Sequence, residues 1–437
     1  MTQTLSPSRE RIARVVTASL IGTTVEWYDF FLYGSAAALV FNKVFFPTAD
    51  PLTGTLLAFA TYAIGFGARP LGGLVFGHFG DRLGRKRLLV LSLLMMGGAT
   101  FLMGLLPSYA AIGVGAPLLL TALRLVQGFA LGGEWGGSVL IVAEHGSARH
   151  RGFWASWPQA GAPGGNLLAT AVLAVLAAVQ SESDFASWGW RIPFLLSGVL
   201  VAIGLWIRMR VAETPVFQAA AERAASAGTT ERTPIGTVLR TQWREVLVAM
   251  GARMGENISY YVITSFILVY VVEALKLPKS TALGAVLVGS AVELAAIPLW
   301  GALSDRIGRR PVYLFGAIGM AVWVFAFFAL LGSRSAGAIT VATTVALVLH
   351  GAMYGPQAAF FSELFGTRVR YSGSSIGYQL ASILAGGLAP LIATALLAAF
   401  ASATPIALYV AAGAAISVLA VGLSRETTGG SLEDVES

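Results

Sequence analysis

The chain has 437 residues, of which 56% are hydrophobic and only 12% charged, with a formal net charge of +7. A soluble domain carries about 25% charged residues, so the composition excludes an ordinary soluble globule. The absence of cysteine also excludes disulfides, thiol nucleophiles and Cys-ligated metals.

Twelve apolar runs long enough to cross a bilayer follow one another, at about 16–41, 53–76, 88–106, 116–143, 154–180, 190–209, 245–273, 281–303, 311–332, 338–362, 374–399 and 404–423. The first run is too long for a signal-peptide core and lacks a small-residue cleavage site, so it reads as an uncleaved span. It carries Glu26, Asp29 and Tyr33 at spacings of three and four, which puts them on one helix face. Between spans two and three lies a charged loop, Gly77-His-Phe-Gly-Asp81-Arg82-Leu-Gly84-Arg85-Lys86-Arg87. Span four holds Arg124 and Gln127 on one face, then Glu134 among glycines. It is followed by Glu144, Arg149 and Arg151, and span six by Glu213.

Span five, through Pro158 and Pro163, and span eleven, through Gly386-Gly387 and Pro390, are expected to bend. Residues 211–243 form the one long polar stretch and read as a linker. Span seven repeats the spacing of span one with Arg253, Glu256 and Tyr260, and adds Asn257. Glu293 in span eight has no evident partner in sequence. The charged loop returns as Gly301-Ala-Leu-Ser-Asp305-Arg306-Ile-Gly308-Arg309-Arg310, and Glu363, Arg368 and Arg370 repeat the pattern of Glu144, Arg149 and Arg151. These echoes divide the chain into a six-span bundle (1–210), a linker (211–243), a second six-span bundle (244–424) and a polar tail (425–437). The fold class is therefore all-α integral membrane, with twelve transmembrane helices in two pseudo-symmetric six-helix bundles.

If the repeated loops face the cytoplasm, 21 of the 29 Lys and Arg lie on that side and four on the other. That is the positive-inside asymmetry, and it places both termini in the cytoplasm of a multi-pass cell-membrane protein. It also explains the positive charge without nucleic acid. Arg69, Arg124, Arg191 and Arg253 fall within or at the edge of spans.

The doubled G-x-x-x-D-R-x-G-R-[RK] loop and Arg124-Leu-Val-Gln127-Gly128 resemble signatures of the major facilitator superfamily. Gly22-Thr-Thr-Val-Glu26-Trp-Tyr-Asp29, Ala68-Arg69-Pro70, Gly132-Gly133-Glu134-Trp135, Trp190-Arg191-Ile-Pro193 and Glu213-Thr-Pro215 extend the likeness to its metabolite:proton symporter family. The run from Val40 to Pro47 and the wording of span two look most like the shikimate-type branch. The resemblance implies alternating access and a cargo such as shikimate or a dicarboxylic or oxo-acid, with proline or betaine as the zwitterionic alternative.

Glu26, Asp29 and Arg124 are the proton-coupling candidates, Arg124 chiefly by resemblance. An acid in mid-span costs about 2.5–3.5 kcal/mol on insertion scales, so it should be neutral, paired or facing water. A fixed ion pair with Arg69, Arg124 or Arg253 is the plain alternative for each acid. Arg253, Asn257, Glu256, Tyr260, Tyr33 and Gln127 are the candidate substrate contacts, because charges, an amide and phenols suit a partly dry pocket for a hydroxylated anion. Tyr354, Gln357, Tyr378 and Gln379 are weaker candidates. Asp81, Arg82, Arg85, Glu144, Arg149, Glu213, Asp305, Arg306, Arg309, Glu363 and Arg368 form a candidate charge network that latches the cytoplasmic end. In it, Asp81 is expected to face the N-terminus of the helix that follows its loop.

An enzyme is disfavoured, because the histidines His78, His145, His150 and His350 are scattered and offer no metal-ligand set. No G-x-x-x-x-G-K-[ST] run for ATP is present. The expected partners are a small organic solute, protons and the lipid bilayer, with no cofactor and a monomeric state. A transporter-like sensor that binds solute without moving it is the rival of another class.

Overall fold

The computed structural model describes residues 9–83, 85–132, 148–210, 240–365 and 370–429. Among them every one of the twelve expected spans is a helix. The first six are α1 (Arg9–Leu39), α2 (Pro51–Leu83), α3 (Arg85–Leu105), α4 (Gly115–Gly132), α5 (Arg151–Val179) and α6 (Arg191–Arg210). The second six begin with α7, which starts as Trp243–Tyr261 and continues to Ala274. Then come α8 (Lys279–Ile307), α9 (Arg309–Gly332) and α10 (Ala336–Leu364). They close with α11, from Arg370 to Phe400, and α12 (Thr404–Leu423).

Nine of these helices are long and apolar enough to cross a membrane, and α6 joins them when taken with Glu182–Gly189 across a 45° bend. The two left over are α1, which carries Glu26 and Asp29, and α3, whose apolar stretch is Val90–Leu105. The protein is thus a multi-pass membrane protein. Its lipid-facing surface explains large exposed side chains such as Leu118, Val322 and Leu423, which need no aqueous partner.

Glycines set the closest helix contacts. A Cβ on Gly128 of α4 would lie 1.9 Å from the carbonyl oxygen of Gly65 on α2. Only a bare Cα allows that crossing, which is the small-residue packing expected between membrane helices. Gly308, between α8 and α9, has φ 107° and turns the second charged loop where a side chain would be strained.

π-helical turns interrupt α7 and α11. α11 opens into a π-helical turn at Ser382–Gly387. α5 carries Pro158 and Pro163 yet stays one continuous helix from Arg151 to Val179. α7, without proline, holds π-helical turns at Val262–Phe266 and Tyr270–Ala274.

The two sets of six meet along two main seams. In one, α5 packs on α8 and α10; in the other, α2 packs on the π turn and second half of α11. α1 also touches α7, where Phe31 and Tyr260 have ring centroids 5.3 Å apart. A cavity lies between these seams.

Candidate functional site

The cavity is lined by Trp27 and Phe31 of α1, Ala162 of α5, Arg253, Glu256, Asn257, Tyr260 and Tyr261 of α7, and His350 and Tyr354 of α10. Every lining residue is buried. The polar wall belongs to the second six helices; the first six contribute aromatic rings and an alanine.

α7 presents Arg253, Glu256, Asn257 and Tyr260 within two turns, as their spacing predicts. Arg253 donates to Oε1 of Gln357 at 2.6 Å and to Ser382 at 3.5 Å, and pairs with Glu256 at 3.4 Å. Its guanidinium carbon sits 3.5 Å from the ring centroid of Tyr378, within cation–π reach. Glu256 also accepts from Asn257 at 3.1 Å and from Nε2 of Gln357 at 3.2 Å. Gln357 further donates to Tyr313, whose hydroxyl donates to the carbonyl of Ala252 at 2.7 Å.

His350 was one of the scattered histidines, yet folding sets it between two acids. One ring nitrogen is 3.1 Å from Glu256, and the other makes a short contact with Glu293. The sequence signal for it was the spacing of His350, Tyr354 and Gln357 by four and three, which marks one face of α10. Glu293 therefore does have a partner, contributed from another helix.

A second buried cluster occupies the first six helices. Asp29 accepts from Ser197 of α6 at 2.5 Å, and its other oxygen is buried without a hydrogen-bond partner. Arg124 donates to Gln127, whose amide donates to Thr100 at 2.8 Å and to the backbone carbonyl of Asp29 at 3.2 Å. The Arg124 guanidinium lies 4.4–4.5 Å from the ring centroids of Phe30, Tyr33 and Tyr62. Arg69 is held similarly, 4.1 Å from Phe66 and 4.4 Å from Phe30. Asp29 makes no ion pair with Arg69, Arg124 or Arg253 among the described residues, so the plain alternative of a fixed pair does not describe Asp29 here. Glu26 is buried on the same helix.

Two of the expected substrate contacts lie elsewhere. Tyr33 bonds Thr61 at 2.5 Å and Gln127 bonds Arg124, so both belong to the Arg124 cluster and not to the cavity wall. The cause is the direction of their helix faces, which point into the first bundle.

The charge network is described for its second copy. Asp305 accepts from the backbone amides of Gly152 and Phe153, at 2.8 and 2.9 Å, so it faces the N-terminus of α5 in the other six helices. The helix that takes this charge is therefore not the one following the loop, as expected for the first copy, but one across the seam. Arg309 donates to Asp305 at 2.7 Å and to both oxygens of Glu363 at 3.2 and 3.1 Å. Glu363 also receives Arg151 at 2.9 Å and Thr427 at 2.8 Å. Arg149 and Arg306 are exposed, so the cation that bridges to Glu363 is Arg151. The side chains of Asp81, Arg82 and Arg85, and Glu134, Glu144, Glu213 and Arg368 altogether, lie outside the described residues.

At the opposite end, Lys279 of α8 pairs with Glu182 at 3.0 Å and lies 3.7 Å from the ring centroid of Phe185. Contacts across the halves thus exist at both ends, with the cavity between them. Among the described residues no group of histidines and acids could hold a metal ion.

Comparison with known proteins agrees with this architecture. The profile of the Major Facilitator Superfamily matches residues 19–390. The shikimate transporter of Escherichia coli (strain K12) is 42% identical over 97% of this chain and 96% of its own length. The inner membrane metabolite transport protein YhjE of the same organism is 40% identical, over 95% and 94%. The Proline/betaine transporter of Escherichia coli (strain K12) is 34% identical over 88% of this chain and 77% of its own. A solved structure of the proton:xylose symporter XylE superposes with a TM-score of 0.77 over 98% of this chain and 99% of that one. At 17% identity that likeness concerns the fold alone.

Proposed function

We propose that this chain, which belongs to the Major Facilitator Superfamily, imports a small organic acid such as shikimate together with protons by alternating access. The observation that carries the reading is the cavity at the meeting of two six-helix sets, with Arg253, Asn257 and Glu256 on its polar wall. A guanidinium flanked by an amide and phenols suits a carboxylate with ring hydroxyls, and aromatic rings opposite suit the cargo's apolar face. The shikimate transporter's 42% identity supports that cargo class.

In this scheme the charge network around Glu363 is a gate at the cytoplasmic end of a cell-membrane protein with both termini inside. The gate breaks as the carrier opens inward. A proton moving through 100 mV supplies about 2.3 kcal/mol, enough to concentrate a solute more than tenfold. Glu26 and Asp29 are both buried protonatable groups of α1, and Asp29 has no cation partner among the described residues. It acts on the packing of α1 against α6, since it is not on the cavity wall.

A zwitterionic cargo is the second reading. Trp27, Phe31, Tyr260 and Tyr261 surround the cavity, and aromatic faces attract quaternary ammonium groups. A thermal-shift panel on the purified protein separates the two. Stabilisation by shikimate or dicarboxylates and not by betaine or proline is expected; the reverse pattern would replace the first reading by the second.

A further inference from the structure

Three ionisable side chains in the second six helices form a continuous chain that transport of an anion alone does not require. Glu293 of α8 contacts one ring nitrogen of His350 on α10, and the other ring nitrogen is 3.1 Å from Oε1 of Glu256 on α7. Glu256 in turn pairs with Arg253 at 3.4 Å. All four are buried, and the second carboxylate oxygen of Glu293 has no hydrogen-bond partner. A buried carboxylate with an orphaned oxygen is costly, whereas a carboxylic acid donating to a neutral imidazole is not.

We infer that Glu293, His350 and Glu256 form a proton relay whose protonated end state frees Arg253 for the carboxylate of the cargo. The inference rests on the reading of proton-driven uptake and adds to it how proton and cargo are linked.

The step balances without any further reactant. It begins with Glu293 as a carboxylic acid, His350 neutral and carrying its proton on Nε2, and Glu256 as a carboxylate paired with Arg253. The acid proton of Glu293 passes to Nδ1 while the Nε2 proton passes to Oε1 of Glu256. The imidazole ends neutral in its other tautomer, Glu293 ends ionised, and one proton has moved between the acids. Neutral Glu256 no longer competes for Arg253, and an arriving anion takes its place. On release the proton leaves Glu256, the pair re-forms and the cargo is displaced; the Nδ1 proton then returns to Glu293, and a new proton taken up at Nε2 restores the starting state.

The surroundings suit this sequence. The groups facing the relay are Tyr260 on α7 and Tyr354 on α10, with rings 4.6 and 5.3 Å from His350. Around Arg253 and Gln357 stand Tyr378 on α11 and Tyr313 on α9. From α1 and α5 the cavity receives Trp27, Phe31 and Ala162, none of them ionisable. One turn from Glu293, Ser290 accepts from Asn166 of α5 at 3.1 Å, so the relay adjoins the seam along which the halves move. Glu293 itself is not on the cavity wall and makes no contact that a cargo would replace.

The test is uptake of labelled shikimate by proteoliposomes, driven by an imposed pH gradient and, separately, by counterflow without one. Wild type should be stimulated at least about fivefold by the gradient. E293Q and H350Q should lose that stimulation, with unchanged elution on size-exclusion chromatography as the check that both variants fold. Stimulation of E293Q equal to wild type overturns the relay and leaves symport standing. A wild type that exchanges shikimate but ignores the gradient overturns symport and the relay with it. A second measurement needs no cargo: nitrogen NMR of histidine-labelled protein, with the His350 signals assigned by H350Q. The pH at which those signals move should differ between wild type and E293Q; identical titrations overturn the relay.

Discussion

Arg151, at the start of α5, donates to Glu363, near the end of α10, across 2.9 Å. The bond joins the two sets of six helices at the end that carries the repeated charged loops, and both side chains are buried. Arg309 shares the same carboxylate, and Asp305 ties α8 to the amides of α5 beside it. Removing one member of such a buried group costs about 3–5 kcal/mol, so the closed state of this end depends on it. The chain has no cysteine, which leaves a clean background for labelling a single introduced one. Ser156 is buried in this seam, where a Cβ on Gly301 would come within 2.7 Å of it. In an S156C background, E363Q should raise the rate of thiol labelling about tenfold or more. An unchanged rate would contradict the latch.

Arg253 holds Gln357, Ser382, Glu256 and the face of Tyr378 at once. A lysine keeps the charge but loses the fork and the stacking. R253K should weaken shikimate binding by about 1.5–3 kcal/mol, roughly ten- to hundredfold, with the protein still folded. Calorimetry on the purified variant checks this. Binding equal to wild type would remove Arg253 from the cargo site.

The crossing of α2 and α4 depends on Gly128, since an added Cβ meets the carbonyl of Gly65 at 1.9 Å. Gly67, on the same helix as Gly65, has open space around it. G128A should destabilise by about 1–3 kcal/mol and lower the melting temperature in detergent, whereas G67A should not. Equal melting of the two variants would show that this contact relaxes freely.

Glu426 follows α12 and accepts from the amides of Arg309 and Arg310 at 2.9 and 3.1 Å, and from the hydroxyl of Thr428 at 2.7 Å. Partial burial pushes its carboxyl up, but the Thr428 hydroxyl and the amides of Arg309, Thr428 and Arg310 outweigh it and hold it below the usual range. A depressed carboxyl contributes its stability above the unfolded value, about 4.3, and loses it as pH falls through the folded value. The protection of the Arg309 and Arg310 amides, relative to their intrinsic exchange rates, should therefore be high at neutral pH and fall in acid. E426Q should already show the lower protection at neutral pH; protection matching wild type would discount the contact.

The twelve spans were legible because a bilayer demands long apolar runs, and that demand leaves its mark on each segment separately. The α7 face was legible for the same local reason, with Arg253, Glu256 and Tyr260 at helical spacing. The contacts of His350 were not, since its partners sit on α7 and α8, far apart in the chain. Tyr33 and Gln127 show the converse limit. Spacing put them on polar faces, but only packing decided that those faces look into the first bundle. The π turns of α7 left no proline or glycine signal in the sequence.

Proton-driven accumulation of an organic acid is the central claim, and uptake of shikimate into proteoliposomes under an imposed pH gradient tests it most directly. Internal shikimate should rise several-fold above the external level and fall back to equality when a protonophore is added. A final internal concentration that is the same with and without the gradient would contradict the account.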